Sequence, residues 1–195
     1  MAKQSQVIAR ERVLEAAERL FAGRGYAAVT LRDIGQAVGI KHASLYYHFP
    51  RGKEELYVEV TARRMQRYRE GLERAIASAR NGWYERLEAA ANWMLAQPTM
   101  YLGRMMQSDM PAISDEAAEQ LRKIVYSSLL QPLVAIFQNA LQDNPEKLAR
   151  SATYAGMFLS LIEGIDNLPA SYVQGSKQEL VKIMLDMLSN GIVGK

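Results

Sequence analysis

The sequence contains no cysteine. Disulfide bridges, thiolate metal sites and a nucleophilic cysteine are therefore excluded, and a reducing cytoplasm suits such a composition. The chain also has no run of about 18 apolar residues, the length that a membrane-spanning helix needs. Its first residues carry charges throughout and lack the apolar core of a signal peptide. These absences predict a cytoplasmic protein that does not enter a membrane.

Patterns that carry catalysis or hold a cofactor are missing as well. The chain has no glycine-rich phosphate loop and no Gly-x-Ser-x-Gly elbow, and its scattered serines and acids form no visible triad. His42 and His48, the two histidines, have neither a cysteine nor a clear carboxylate partner for a metal. We therefore expect no enzymatic activity, no metal and no cofactor.

Positive charge is concentrated at the N-terminal end. Residues 1–53 contain nine Lys/Arg and four Asp/Glu, a net charge of +5, whereas the remaining residues carry a net charge of −2. A basic segment on a slightly acidic body indicates that a polyanion contacts the first quarter of the chain.

Helical periodicity extends over nearly the whole sequence, and no alternating strand pattern, internal repeat or low-complexity linker interrupts it. An all-α fold is therefore predicted. Glycine and proline divide the pattern into a first helix, two short ones, a long helix and about five more. The predicted ranges are 5–23, a short helix from Thr30, 41–48, about 51–80, 82–96, 98–109, 114–143 (bent at Pro132), 145–168 and 176–192; the breaks include Asn81-Gly82 and the segment 169–175.

The two short helices have the layout of a helix-turn-helix. Thr30 and Asp33 form a capping-box pattern, Gly39 suits a left-handed helix end, and Pro50 stops the following helix. Apolar residues at helical spacing are expected to form the core of a small three-helix domain: Val13, Ala17, Phe21, Ile34, Val38, Ile40, Leu45 and Phe49. In such a motif the second helix lies in the major groove of DNA.

Particular residues strengthen this interpretation. The segments Thr30-Leu31-Arg32-Asp33-Ile34, Val38-Gly39-Ile40, Ser44 to Pro50 and Gly52-Lys53-Glu54-Glu55-Leu56 closely resemble the N-terminal signature of the tetracycline-repressor (TetR) family. The resemblance covers residues 8 to about 60. It implies a helix-turn-helix DNA-binding domain at residues 1–53 and a larger helical ligand-binding and dimerisation domain at residues 54–195.

Polar residues near the groove face are the candidates for DNA contact. Lys53, in the first turn of the long helix, is poorly placed for the helix dipole but well placed to hold a phosphate. Arg32, Lys41 and His42 have donors for base edges. The full set is Thr30, Arg32, Lys41, His42, Ser44, Tyr46, Tyr47 and Lys53. The sequence departs from the family at Lys41 and Ala43, where many members have Ser and Gly, so no operator sequence carries over.

The larger half supplies candidates for a ligand pocket. Residues 83–110 are dense in aromatic and methionine side chains, which suit a pliable apolar cavity, although each also suits ordinary core packing. The candidate ligand contacts are Trp93, Tyr101, Met105, Tyr126 and Phe158.

The last two large helices are the candidates for self-association. Small residues around Gly156, Ser160 and Gly164 permit close approach of another helix, and residues 176–192 carry an apolar stripe of Leu180, Ile183, Met184, Met187 and Leu188. By resemblance to the family, these helices pair with their copies in a four-helix homodimer interface.

Together these features predict a bacterial transcriptional repressor that binds a palindromic operator as a homodimer. A small apolar or amphipathic inducer is expected to release it. An alternative is a DNA-binding regulator without such an inducer, controlled by a protein partner. A third, a helical enzyme or carrier with a basic face, is disfavoured by the signature.

Overall fold

The computed structural model describes residues 2–80, 82–169, 171 and 175–193. These residues form helices and connecting turns, without a strand among them, and the predicted all-α fold is confirmed. No helix of this described part is both long and apolar enough to cross a bilayer. Asn81, residue 170 and residues 172–174, on which predicted breaks fall, lie outside the described residues.

Eleven α-helical segments are described. They are α1 Ala2–Arg24, α2 Leu31–Val38, α3 Leu45–His48, α4 Lys53–Ser78, α5 Trp83–Leu95, α6 Leu102–Arg104, α7 Asp115–Val125, α8 Gln131–Ala140, α9 Pro145–Leu148, α10 Ser151–Asn167 and α11 Lys177–Leu188. Short 3₁₀ turns cover His42–Ser44 and Met110–Ala112, and π-helical turns cover Met105–Asp109, Tyr126–Leu130 and Ser189–Val193.

The chain packs as two compact units, and each unit is formed from two separate stretches of the sequence. One unit combines Met1–Gln66 with Tyr101–Ile124, and the other combines Arg67–Met100 with Val125–Lys195. Helix α4 contributes its first half to one unit and its second half to the other. The predicted domain boundary between residues 53 and 54 stays a prediction.

The first unit has a core formed by α1, α2, α3 and the start of α4. Val13, Ala17, Ile34, Leu45 and Phe49 are fully or almost fully buried there. An aromatic cluster extends this core: the ring centroids of Phe21 and Tyr57 lie 5.1 Å apart, and those of Tyr26 and Tyr57 lie 5.0 Å apart. The predicted core of the small domain is thus largely confirmed, with Val38 and Ile40 only half-buried.

The second unit is a helical bundle in which α10 packs on α8, α5 and α11, and α11 packs on α5. Leu87, Phe137, Phe158 and Leu185 are completely buried in it. Burial of this kind is worth about 1.5–3 kcal/mol for each large apolar side chain, so the bundle has a substantial core of its own.

Three predicted helices differ from the structure. The helix predicted over 98–109 begins only at Leu102, and the one predicted over 145–168 is divided by a turn at Ala149 and Arg150. The helix predicted over 114–143 is interrupted by the π turn at Tyr126–Leu130, just before Pro132 in the first turn of α8. Proline lacks a backbone N–H and is tolerated in the first turn of a helix, which explains why α8 starts there.

Candidate nucleic-acid interface

The start of α2 is fixed by a reciprocal cap. The backbone N–H of Asp33 donates to the Thr30 hydroxyl at 3.1 Å, and the backbone N–H of Thr30 donates to the Asp33 carboxylate at 2.8 Å. Hydrogen bonds donated by the Thr30 hydroxyl and by the Thr30 backbone N–H stabilise the ionised carboxylate and hold the pKa of Asp33 below its usual value. The predicted capping box is confirmed.

The turn after α2 depends on two glycines. Gly39 ends α2 in the left-handed region, with φ of 76°, where a side chain would be strained. A Cβ atom on Gly35 would lie 2.8 Å from the carbonyl oxygen of Ile40, so the chain returns closely over α2. This tight return places the 3₁₀ turn His42–Ser44 and α3 beside α2, in the layout of a helix-turn-helix.

Burial of one side of α3 turns its polar side outward. Leu45 and Phe49 are fully buried, whereas Tyr46 and Tyr47 are 51% and 71% exposed. Thr30, Arg32, Lys41, His42 and Ser44 are exposed as well. A shallow recess of about 390 Å³ lies between α2 and the 3₁₀ turn, and its walls are Arg32, Gln36, Ile40, Lys41, His42 and Ala43. The three predicted base-contacting residues therefore share one accessible surface.

Lys53 is the one half-buried member of the candidate set. Its ammonium donates to the backbone carbonyl of Tyr26 at 3.1 Å and lies 3.9 Å from the centre of the Tyr26 ring. Burial holds the pKa of this ammonium below its usual value. An ammonium group has three N–H donors, so the contact with one carbonyl leaves two for a phosphate.

The hydroxyl of Thr30 is engaged more fully. It donates to the Asp33 carboxylate at 2.6 Å and accepts the Asp33 N–H. Its single proton is thus used within the cap, and a phosphate at this helix end would be met by free backbone N–H groups of α2.

Comparison with known proteins gives the interface a context. The family model described as "Bacterial regulatory proteins, tetR family" matches residues 13–60, which include α2, the turn and α3. The HTH-type transcriptional regulator LmrA of Bacillus subtilis (strain 168) is 50% identical over 50 residues, which are 26% of this chain and 27% of LmrA. The match to that curated relative thus spans about a quarter of its length.

Two solved structures extend the likeness beyond this segment. A TetR transcriptional regulator from Legionella pneumophila is 27% identical, with a TM-score of 0.67 over 91% of this chain and 95% of that one. Residues 13–60 therefore match the tetR family in sequence, and the fold of the chain as a whole resembles that of a TetR transcriptional regulator. The same fold is found in AibR, solved with isovaleryl coenzyme A and operator DNA, which is 20% identical with a TM-score of 0.71 over 92% of this chain and 97% of that one.

The predicted ligand residues fall in both units of the chain. Tyr101 and Met105 belong to the first, whereas Trp93, Tyr126 and Phe158 belong to the second. Phe158 is completely buried and Met105 nearly so; Trp93 is half-buried, and Tyr101 and Tyr126 are exposed. A ligand cavity shared by these five residues stays a prediction.

Two residues that sequence reasoning missed bind backbone groups just before α2, the first helix of the helix-turn-helix. Arg104 and Asp109 lie more than eighty residues from their partners at the end of α1 and in the turn between α1 and α2. No local spacing or motif marks them, because their partners are largely backbone groups that any sequence possesses. Only the folded arrangement of the first unit identifies them.

Proposed function

We propose that this chain is a ligand-responsive transcriptional repressor, which binds a palindromic operator as a homodimer and is released by a small apolar or amphipathic molecule. The observation that carries the proposal is the exposed recess lined by Arg32, Lys41 and His42, within a tetR-family helix-turn-helix. Side chains that can donate to base edges are gathered there, and the exposed Tyr46 and Tyr47 of α3 carry hydroxyls suited to phosphate contact.

The DNA-binding proposal is tested by selecting bound sequences from a random duplex library with the full-length protein. We expect an inverted repeat whose half-site centres lie about 34–36 Å apart, or a multiple of one helical turn. Substitutions Arg32→Ala, Lys41→Ala and His42→Ala should change the base preference, at about 1–3 kcal/mol for a residue that makes a good base contact.

A matched control is Lys123→Ala. Lys123 is an exposed lysine of α7 that pairs with Glu119 and does not line the recess, so its loss should leave the preferred sequence unchanged. Absence of any enriched sequence would contradict the operator proposal. Uniform loss across all sequences in a recess variant would reassign that residue to the DNA backbone.

Self-association is supported by an apolar face on α10 and α11. Met157 and Leu161 of α10 are 50% and 43% exposed, and Ile183 and Met187 of α11 are 56% and 70% exposed. Each pair is four residues apart, so it forms one side of its helix. A Cβ on Gly164 would meet nothing within 4 Å, which leaves room for a neighbouring backbone. We assign this face to a second copy of the chain, because two-fold symmetry supplies the second half-site contact.

Ligand response is supported by aromatic and thioether side chains at the candidate positions and by AibR, a protein of the same fold solved with an acyl coenzyme A. A suitable first screen therefore uses short acyl coenzyme A thioesters and free fatty acids. Trp83 and Trp93 are the two tryptophans, and their fluorescence reports binding near α5. An inducer should lower operator affinity, and operator DNA should weaken inducer binding by the same factor.

The alternative of a protein partner is distinguished in the same assay. A compound that saturates the fluorescence change without altering operator affinity is not an inducer. If every compound class behaves in this way, or none binds, while the operator is bound specifically, ligand control is contradicted and a partner protein is the better proposal.

A further inference from the structure

A buried carboxylate lies beneath the turn between α1 and α2. Asp109, at the end of the π turn Met105–Asp109, has a side chain that is only 7% exposed. It accepts the backbone N–H of Tyr26 at 2.8 Å and the hydroxyl of Tyr57 at 3.3 Å. A buried carboxylate is costly unless such donors surround it, so this position depends on specific partners.

Arg104 binds the same turn from the neighbouring position. Its guanidinium donates to the carbonyls of Ala22 and Phe21 at 2.6 and 3.4 Å, at the end of α1, and lies 3.9 Å from Asp109. A cation at a helix C-terminus is favoured by the free carbonyls and by the helix dipole. The Asp109 carboxylate lies so close to the backbone at Gly25 that a Cβ atom there would be 2.9 Å from it. Gly25 also has a φ of 79°, in the left-handed region that favours glycine.

Both backbone polar groups of Tyr26 are therefore hydrogen-bonded to side chains. Its N–H donates to Asp109, and its carbonyl accepts the ammonium of Lys53, whose charge also lies against the Tyr26 ring. Three residues distant in sequence thus form one chain of contacts. Asp109 and Lys53 are therefore linked through the backbone N–H and carbonyl of one residue, Tyr26.

We propose that Arg104 and Asp109 are positioning residues for operator binding, which hold the α1–α2 turn so that Tyr26 presents the Lys53 ammonium to a DNA phosphate. This inference rests on the proposed function and adds residues outside the segment that the family model matches. Neither Arg104 nor Asp109 contacts DNA in this arrangement; they act through Tyr26 and the end of α1.

The test is the salt dependence of operator affinity, measured by fluorescence anisotropy with the selected operator and the full-length protein. Each lost phosphate contact lowers the slope of log affinity against log salt by about 0.9. Lys53→Ala and Asp109→Ala should each flatten the slope by about one unit per protomer, with the same preferred sequence. In the Asp109→Ala background, Lys53→Ala should add little further loss.

Two further variants separate positioning from general loss of stability. Asp109→Asn keeps an acceptor for the Tyr26 N–H and should retain the wild-type slope. Arg104→Met keeps the apolar stem but removes the carbonyl contacts of the guanidinium, and should flatten the slope even if Asp109→Ala does not fold. The matched control is Asp166→Ala: this carboxylate, 14% exposed, accepts from Thr99 and Lys177 in the second unit. The Asp166→Ala substitution should lower the melting temperature and leave the salt-dependence slope unchanged.

Each outcome has one meaning. Flattened slopes for Asp109→Ala and Arg104→Met, with rescue by Asp109→Asn, support the inference. A wild-type slope in a folded Asp109→Ala or in Arg104→Met overturns it, as does full additivity of the Lys53 and Asp109 effects. If the wild-type protein selects no operator, the proposed function itself fails, and the inference falls with it.

Discussion

Gly71→Ala should destabilise the protein although alanine is the better helix former. Gly71 lies inside α4, and a Cβ there would lie 2.1 Å from Cζ2 of Trp93, far inside contact distance. The Trp93 ring cannot simply shift, because it packs edge-on against Tyr68 with ring centroids 4.7 Å apart. The substitution therefore forces Trp93 out of its place.

The size of the effect follows from three contributions. Alanine gains about 0.5–1 kcal/mol over glycine within a helix. Overpacking costs about 1–3 kcal/mol, and loss of an edge-to-face ring pair costs about 0.5–1.5 kcal/mol. The net loss is about 1–3 kcal/mol, which lowers the melting temperature by about 2–12 °C for a chain of this size.

Thermal unfolding followed by circular dichroism, at one fixed protein concentration, measures this loss. In a Trp83→Phe background, Trp93 is the single tryptophan and its emission should shift to longer wavelength when Gly71 is replaced. Gly23→Ala is the control, since a Cβ on Gly23 meets nothing within 4 Å and should not destabilise the chain. Equal stability gains from both substitutions, with unchanged Trp93 emission, would refute the reasoning.

The remaining predictions concern the dimer face, an ion pair and a cap. Ile183→Glu with Met187→Glu should yield monomers in sedimentation velocity; a dimer that persists at micromolar concentration would contradict the assigned face. Bonding to Lys177 lowers the pKa of Asp166, so its stabilisation is present above the unfolded-state pKa of about 3.9 and disappears as pH falls through the folded-state value. Asp166→Asn should cost about 1–2 kcal/mol at neutral pH and nothing in strong acid, and a pH-independent loss in denaturant titrations would exclude this origin. Thr30→Ala should cost about 1 kcal/mol and weaken operator binding, whereas Thr30→Ser should retain the cap; equal stability of both variants would contradict this.

The sequence was most informative where structure depends on neighbouring residues. The Thr30 and Asp33 cap and the left-handed Gly39 are local features, and residues three or four positions apart identify them. The buried side of α3 follows from the same periodicity. The helix-turn-helix could therefore be predicted from some thirty consecutive residues.

Distant contacts account for what sequence reasoning missed. The helix predicted from residue 98 starts only after Tyr101; within this stretch the Thr99 hydroxyl donates to Asp166, 67 residues away, at 2.7 Å. Lys53 was predicted as a phosphate ligand from its helix position alone, and its contact with Tyr26 is a tertiary one. Periodicity cannot identify Asp166 as the partner of Thr99 or the Tyr26 carbonyl as the partner of Lys53. Many other acidic residues, and every other backbone carbonyl, could accept the same hydrogen bonds.

The segment between α5 and α7 links two proposals that sequence reasoning kept separate. Tyr101 and Met105 are candidate ligand contacts, and they flank Arg104 on the same stretch that carries Asp109. The Arg104 guanidinium lies 5.0 Å from the centre of the Tyr101 ring, so a ligand that displaces this ring also changes the surroundings of the guanidinium that holds the end of α1. A ligand acts on DNA binding only through such a difference between two conformations, and couplings of this kind amount to about 1–3 kcal/mol. Asp109→Ala and Arg104→Met should therefore weaken operator binding before any ligand is added, and an inducer that acts through this segment should have a smaller further effect on these variants than on the wild-type protein.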